Sequence, residues 1–410
     1  MTIAFLTLGC KLNYAETSTY ERAFRKAGLE VVSWKNKADI YLVNTCSVTA
    51  TSDSKSRNLV RKVHRINPEA RIIVTGCSAE LRRSELEAIE GVSRVFGANE
   101  KARVVAETLG LPLDEEARSA VFGAYSTGER TRSFLKVQDG CNNFCKYCTV
   151  PYARGESRNL PICQCVRNAR SIAAEGVKEI VLTGVNTGDF GRTTGESFLD
   201  LLKALNEVEG IERYRISSIE PNLISEEIID WIASGTKFQP HFHIPLQTGS
   251  DIQLERMGRH YNCSYFENKI NYIREKMEAP GKPKVFFGID VMVGLPGETE
   301  ELFEQTRSFI EKIRPAFIHV FPYSRRPGTP AAEMDGQVDE AEKNRRVAVL
   351  EELCSRLHAE FYEENKGIKE KVLFESTRRG GKMEGYSGNY IRVTRDYDEA
   401  LVGKLCELTL

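Results

Sequence analysis

The sequence predicts an α/β protein in three units, on three observations. Short apolar runs alternate with amphipathic segments through residues 1–110. The same alternation returns between residues 133 and 366, with six candidate strands. From residue 367 onward only short alternating stretches remain, about five in number, separated by glycine-rich turns. Strands alternating with helices imply parallel sheets with right-handed crossovers. Short strands between turns imply a small barrel. The expected fold is a flavodoxin-like parallel sheet, a partial (β/α)6 barrel and a small C-terminal β-barrel.

In the first unit, strands are expected at 3–8, 39–43 and 71–74, and helices at 14–27, 52–66 and 84–89, from the spacing of apolar positions. Each strand is followed by a cysteine, in Leu8-Gly9-Cys10, Asn44-Thr45-Cys46 and Thr75-Gly76-Cys77. Ligands of open α/β sheets bind at that edge, in the crevice between βα loops. Three such loops can bring together thiolates that are far apart in sequence. Glycine before Cys10 and Cys77 lets the backbone approach a bulky group. Buried packing cysteines are the competing reading, favoured by cysteine's ordinary habits.

A polar stretch without periodicity, residues 111–132, is expected to be a hinge. Beyond it the barrel strands are expected at 133–137, 179–183, 214–217, 241–244, 285–293 and 316–321. Active sites of such barrels collect at the C-terminal ends of the strands, and polar residues fall there. The candidates are Thr183, Gly184 and Asn186 after the second strand, then Ser218 and Glu220 after the third. Gln247 and Ser250 follow the fourth, and Tyr323, Arg325 and Arg326 the last. Arginines beside an aromatic residue suit phosphate contact and base stacking. His243 is expected to be a structurally satisfied strand histidine.

With 410 residues, 41% of them hydrophobic, the chain can bury a sizeable core. A formal net charge of −1 excludes a uniformly basic nucleic-acid binder but not a local basic patch. Arg378, Arg379 and Lys382 make one such patch near the C-terminus, and Arg57, Arg61, Lys62 and Arg65 a second at helical spacing. The first strand begins at once, so no signal peptide is expected. No apolar run approaches the roughly twenty residues of a membrane helix. A cytoplasmic protein is expected, in which eleven cysteines are ligands or small hydrophobes rather than bridges.

Cys141, Cys145 and Cys148 have the spacing C-x3-C-x2-C. A loop that tight can wrap three thiolates around one corner of a cubane iron–sulfur cluster, leaving one iron without a protein sulfur. A structural zinc loop would need a fourth ligand and a distant second pair. Cys163, Cys165, Cys263, Cys354 and Cys406 have no matching set and are expected to be packing or surface residues.

The triplet, with Tyr147 just before its last cysteine, resembles the radical S-adenosylmethionine (SAM) signature. Together with Thr7-Leu-Gly-Cys-Lys-Leu-Asn13 and the run from Lys136 to Cys148, the chain resembles the methylthiotransferases of that superfamily, over nearly its whole length. Within them it resembles the branch acting on N6-threonylcarbamoyladenosine at position 37 of tRNA. The resemblance implies two [4Fe-4S] clusters and SAM as cofactors. Cys141, Cys145 and Cys148 would hold the cluster that cleaves SAM, and Cys10, Cys46 and Cys77 an auxiliary cluster bearing the sulfur to be transferred. Tyr147, Thr183, Gly184, Asn186, Ser218, Glu220 and Gln247 would surround SAM, although the usual Gly-Gly-Glu after the second strand is absent. Residues 1–110 would be the auxiliary-cluster domain, 133–366 the radical-SAM core, and 367–410 a TRAM-like RNA-binding domain. The implied partners are a tRNA anticodon stem-loop and a flavodoxin- or ferredoxin-class electron donor, with the enzyme a monomer. Two alternatives remain within the chemistry: isopentenyladenosine in tRNA, or a ribosomal protein side chain. A third, from another class, is an RNA-binding iron–sulfur redox sensor.

Overall fold

The computed structural model describes residues 1–112, 123–126, 128 and 131–410. Most of the expected hinge lies outside the described residues.

The N-terminal unit runs β1 (Thr2–Thr7), α1 (Lys11–Lys26), β2 (Glu30–Val31), β3 (Ile40–Thr45), α2 (Ala50–Ile66), β4 (Arg71–Gly76), α3 (Cys77–Leu81), α4 (Arg83–Glu87), β5 (Val92–Phe96) and α5 (Arg103–Leu109). The strands form one parallel sheet in the order β2-β1-β3-β4-β5, the flavodoxin-like order. All six residues of β3 are buried, as a central strand covered on both faces requires. Thr49 Oγ1 caps α2 by accepting from Ser52 N at 3.1 Å. The short edge strand β2 and the outer strand β5 were not expected from periodicity, because neither has a full apolar run: Ser93 and Arg94 are exposed.

The core runs β6 (Arg132–Lys136), β7 (Gln138–Asp139), α6 (Val150–Arg154), β8 (Arg158–Asn159), α7 (Ile162–Ala174), β9 (Glu179–Thr183), α8 (Phe198–Asn206) and β10 (Arg213–Ile216). It continues with α9 (Glu226–Ala233), β11 (His241–Gln247), α10 (Asp251–Arg256), α11 (Cys263–Met277), β12 (Phe286–Val293), α12 (Glu300–Ile313) and β13 (Phe317–Pro322). Two parallel sheets, β6-β9-β10 and β11-β12-β13, are stitched by the parallel bridge of Tyr214 with Phe238 and by Ile219 N donating to His243 O at 3.1 Å. The result is the six-stranded partial barrel. Serine and threonine caps on Ser197, Ser225 and Thr299 start α8, α9 and α12.

The chain then forms α13 (Pro330–Glu333) and the long α14 (Glu340–Glu364), which packs on β13. An antiparallel sheet follows, β14 (Lys369–Arg379), β15 (Lys382–Tyr386), β16 (Arg392–Asp396) and β17 (Leu405–Thr409), in the order β16-β15-β14-β17. It has four strands where about five were expected, and makes a half-barrel. Arg213 and Arg215 of β10 anchor it. Arg215 Nη1 and Nη2 donate to Gly388 O and Ser387 O at 2.7 and 2.8 Å, while its Nε is held by Glu179 at 2.7 Å.

Helix α1 lies against the β6 side of the barrel, where Tyr14 and Ala15 pack on Phe134 and Val181. The N-terminal unit therefore closes the open side of the partial barrel. The joint is ionic at its centre. Glu16 is fully buried and its carboxylate is met by Lys101 at 2.9 Å, Lys136 at 2.9 Å and Arg154 at 3.2 Å. Asp139, also buried, takes Lys136 at 2.7 Å and Arg154 at 2.9 Å. Those cations hold the Glu16 and Asp139 carboxyls far below the usual carboxylate range, against a burial effect of opposite sign.

Candidate active site

The two cysteine sets meet at this joint. Cys10 ends the loop after β1 as the N-cap residue of α1, Cys46 directly follows β3, and Cys77 opens α3. All three stand at the carboxyl edge of the sheet, and their thiols lie within electrostatic reach of one another. Close approach explains the glycines. Gly9 has φ +98°, and a Cβ there would sit 2.8 Å from Cys46 Sγ; at Gly76, φ +99°, it would sit 2.4 Å from Thr45 O.

Cys141, Cys145 and Cys148 lie in the loop between β7 and α6. Asn143 N points to Cys141 Sγ at 3.5 Å and Val150 N to Cys148 Sγ at 3.4 Å. Arg259 Nη1 donates to Cys145 Sγ at 3.1 Å and to Tyr147 OH at 3.2 Å, and its other nitrogen bonds Glu220. Burial pushes the Cys46 and Cys141 thiols up to about 11 and Cys148 to about 12, and raises Cys77. As thiolates, these groups need a positive partner, and N–H donors aimed at sulfur are what a cluster-holding loop supplies. The donor sets thus fit iron–sulfur clusters in which each set supplies three protein thiolates.

A cavity of about 350 Å³ opens beside the second set. It is walled by Cys141, Cys145, Tyr147, Cys148, Asn186, Ser218, Glu220 and Gln247, so five of the seven residues expected around SAM are brought together. The other two are not among its lining residues. Thr183 is fully buried and its backbone oxygen accepts from Val137 N at 3.0 Å, while Gly184 packs against Gln138. Asn186 Oδ1 and Tyr323 OH are buried without a hydrogen-bond partner among the described residues, and both residues face the cavity. An orphaned acceptor in a cavity wall fits the ammonium of an amino-acid ligand. Gln247 has φ +70° beside a register shift at Pro245, a strained backbone position at the end of β11.

Placement differs from the expected RNA contacts after the last strand. Arg326 is 3% exposed and turned inward, where it pairs with Asp53 at 2.5 Å and Ser47 at 3.0 Å. Its charge is engaged in joining the N-terminal unit to the core. Tyr323 is likewise buried, and only Arg325 of this group is exposed. Arg378, Arg379 and Lys382 are exposed on the β14–β15 hairpin, with Lys382 on Asp396 at 2.8 Å and Arg378 over the Tyr397 ring. Of the unmatched cysteines, Cys165 and Cys354 are core residues and Cys163 is exposed. His243 is held by Asp290 at 2.8 Å and stacks on His319, with ring centroids 5.0 Å apart. Ligating atoms of the three lie within 4.8 Å of one another, inside the barrel.

Sequence reasoning did not find Arg154, Arg259 or Glu16. Arg259 follows α10, 114 residues from Cys145, in a segment without a recognisable pattern.

Known proteins share this arrangement. Residues 2–97 match the uncharacterized protein family UPF0004, and residues 135–310 match the radical SAM superfamily. Among solved structures, the fold is similar to that of the radical S-adenosylmethionine methyltransferase TsrM from Kitasatospora setae, at TM-score 0.58 and 15% identity over 81% of this chain and 75% of that one. The protein is a radical-SAM enzyme, of the class that uses SAM and a [4Fe-4S] cluster. Among curated relatives, the threonylcarbamoyladenosine tRNA methylthiotransferase MtaB of Bacillus subtilis is 37% identical, over 100% of this chain and 93% of its own length. The tRNA-2-methylthio-N(6)-dimethylallyladenosine synthase of Desulfosudis oleivorans is 34% identical, over 95% and 86%. The chain belongs to the methylthiotransferase family.

Proposed function

We propose that this enzyme inserts a methylthio group at C2 of N6-threonylcarbamoyladenosine at position 37 of tRNA. The observation that carries the reading is the junction of the two three-cysteine sets, on either side of Arg154, next to one cavity. An aryl C–H is too weak an acid for any side chain here to deprotonate, so the reaction calls for radical chemistry rather than a general base. When bound, SAM and the clusters supply the reducing electron, the radical, the methyl group and the sulfur. Cys141, Cys145 and Cys148 would hold one cluster, and Cys10, Cys46 and Cys77 the other.

The chain's own groups bind and orient. Asn186 and Glu220 offer acceptors to the amino group and ribose of SAM, with Ser218 and Gln247 beside them. Tyr147 and Arg259 brace the cysteine loop. Thr183 and Gly184 shape the wall from behind. In this reading residues 1–110 carry the auxiliary cluster, 133–366 the SAM site, and 367–410 grip RNA through Arg378, Arg379 and Lys382, with Arg325 nearer the cavity. The enzyme would work as a cytoplasmic monomer with a flavodoxin- or ferredoxin-class reductant. No helix among the described residues is long and apolar enough to cross a membrane. The 34% identical relative favours a second substrate, dimethylallyladenosine in tRNA.

Anaerobic incubation with SAM, reductant and tRNA bearing either nucleoside, followed by nucleoside mass spectrometry, separates the two. A methylthio mass gain on threonylcarbamoyladenosine is the expected result. Gain only on dimethylallyladenosine, or none on either, would overturn the assignment.

A further inference from the structure

The barrel interior holds charged groups below the cavity, and one cation there has no hydrogen-bond or ion-pair partner among the described residues. Strand register fixes the walls. Asp290 of β12 pairs with Pro245 of β11 and with His319 of β13, so His243, Pro245, Asp290 and His319 share the inner face. His243 and Asp290 are mid-strand residues, yet their side chains keep 20% and 23% exposure. An inner face with accessible side chains at mid-strand is a hollow, not a packed core.

Lys11 enters this hollow from the other side. It is the first residue of α1, and α1 lies along the gap in the barrel beside β6. The side chain is accessible although the barrel and the N-terminal sheet enclose it, as expected of a group standing free in a cavity. Its ammonium lies within electrostatic reach of Arg132, Arg215, Asp290 and Cys10. Of these, the two arginines and the carboxylate already have partners. Arg132 pairs with Glu375, Arg215 with Glu179, and Asp290 with His243. Among the described residues no hydrogen bond or ion pair takes up the Lys11 ammonium. An accessible ammonium with no hydrogen-bond or ion-pair partner among the described residues is free to meet an incoming anion by a charge-assisted hydrogen bond.

The substrate of the preceding subsection carries one. Its base is joined through a urea to threonine, which presents a carboxylate and a hydroxyl. Asp290 also faces the SAM cavity, so the lumen and the reaction site are continuous. We propose that Lys11 is a specificity-determining residue whose ammonium binds the threonyl carboxylate of the substrate inside the barrel lumen. The inference rests on the proposed substrate. His243 and His319 share the same inner face. A neutral dimethylallyl group would leave the ammonium unmatched, which gives the site a reason to reject it.

The test is a cycle between protein and RNA. Anticodon stem-loops carrying threonylcarbamoyladenosine, or the same nucleoside with its carboxylate converted to the methylamide, are compared on wild-type enzyme and on Lys11→Gln and Lys11→Arg. Iron and labile sulfide are counted in each preparation. Loss of a charge-assisted hydrogen bond predicts a KM roughly 10- to 100-fold higher for Lys11→Gln on the native nucleoside, with a much smaller change in kcat. The methylamide should raise KM on wild type by a similar factor and add little on Lys11→Gln, and Lys11→Arg should recover most of the loss. If Lys11→Gln shows the wild-type KM on the native nucleoside, or if its loss is equally large on the methylamide, Lys11 does not bind the carboxylate. Wild-type turnover on the native nucleoside reports separately on the substrate itself, and its absence would overturn both readings.

Discussion

Arg154 Nη2 donates to Asn13 Oδ1 at 2.6 Å, and through this bond the loop of one cysteine set touches the loop of the other. Arg154 closes the helix that follows Cys148, and Asn13 lies three residues beyond Cys10. Asn13 in turn donates to Leu8 O at 2.7 Å and Thr45 O at 3.0 Å, the backbone just before Cys10 and just before Cys46. One guanidinium therefore fixes the spacing of both sets, and Glu16 and Asp139 hold it in place.

Removing that charge should be costly. Breaking a buried ion pair by deleting one partner destabilises by roughly 3–5 kcal/mol. Arg154→Met is expected to fall in this range, and Glu16→Gln likewise, because Lys101, Lys136 and Arg154 would then face one another with less compensation. Denaturant unfolding of the three proteins measures both losses. Wild-type midpoints would show that the network contributes little.

The cysteine sets should separate by function. Cys145→Ala is expected to abolish reductive SAM cleavage, scored as 5′-deoxyadenosine. Cys46→Ala is expected to retain some cleavage but yield no methylthiolated nucleoside. Product from the Cys46 variant would remove the auxiliary assignment. The wild type should carry about eight iron and eight sulfide per chain.

Arg259 donates to Cys145 Sγ and to Tyr147, so if Cys145 holds a cluster its effect should be electronic as well as structural. Hydrogen bonds to sulfur raise cluster potentials. Arg259→Gln is expected to lower the midpoint potential and slow SAM cleavage about tenfold or more, since such neighbours typically change activity by 10- to 100-fold. Redox titration followed by electron paramagnetic resonance would expose an unchanged potential.

Acid should loosen the base of the barrel. His241 is stacked on Phe286 at 5.0 Å and lies 4.9 Å from the Tyr390 ring. Burial, with Arg215, Lys11 and His243 nearby, holds its imidazole neutral far below the ordinary value near 6.5. The unfolded chain takes up this proton and the folded one does not. The associated stability is thus complete above about pH 6.5 and declines as pH falls below it, by at most about 1.4 kcal/mol per pH unit. His319, lowered chiefly by burial, acts in the same sense. Melting temperatures at pH 7.5 and 5.5 should drop less for His241→Phe than for wild type. Parallel drops would assign the acid sensitivity elsewhere.

Local chemistry was legible in the sequence, and the joints between units were not. The C-x3-C-x2-C loop, the six barrel strands and the cysteines after β1, β3 and β4 are short-range patterns that one stretch of chain contains. The network on Glu16 is assembled from residues 85, 120 and 138 positions away, each an ordinary charged residue in its own segment. Arg326 reads locally as a solvated arginine, and only the arrival of Asp53, 273 residues distant, turns it inward. Lys11 presents the same difficulty: a lysine at a helix start is unremarkable until a barrel encloses it.

The grip of Arg215 on Ser387 and Gly388 changes what the tail is for. Residues 367–410 are not an appendage on a tether: buried guanidinium groups of β10 bond their backbone directly. A chain cut before Gly367 would strand Arg213 and Arg215, two buried guanidinium groups, without the carbonyl oxygens that now solvate them.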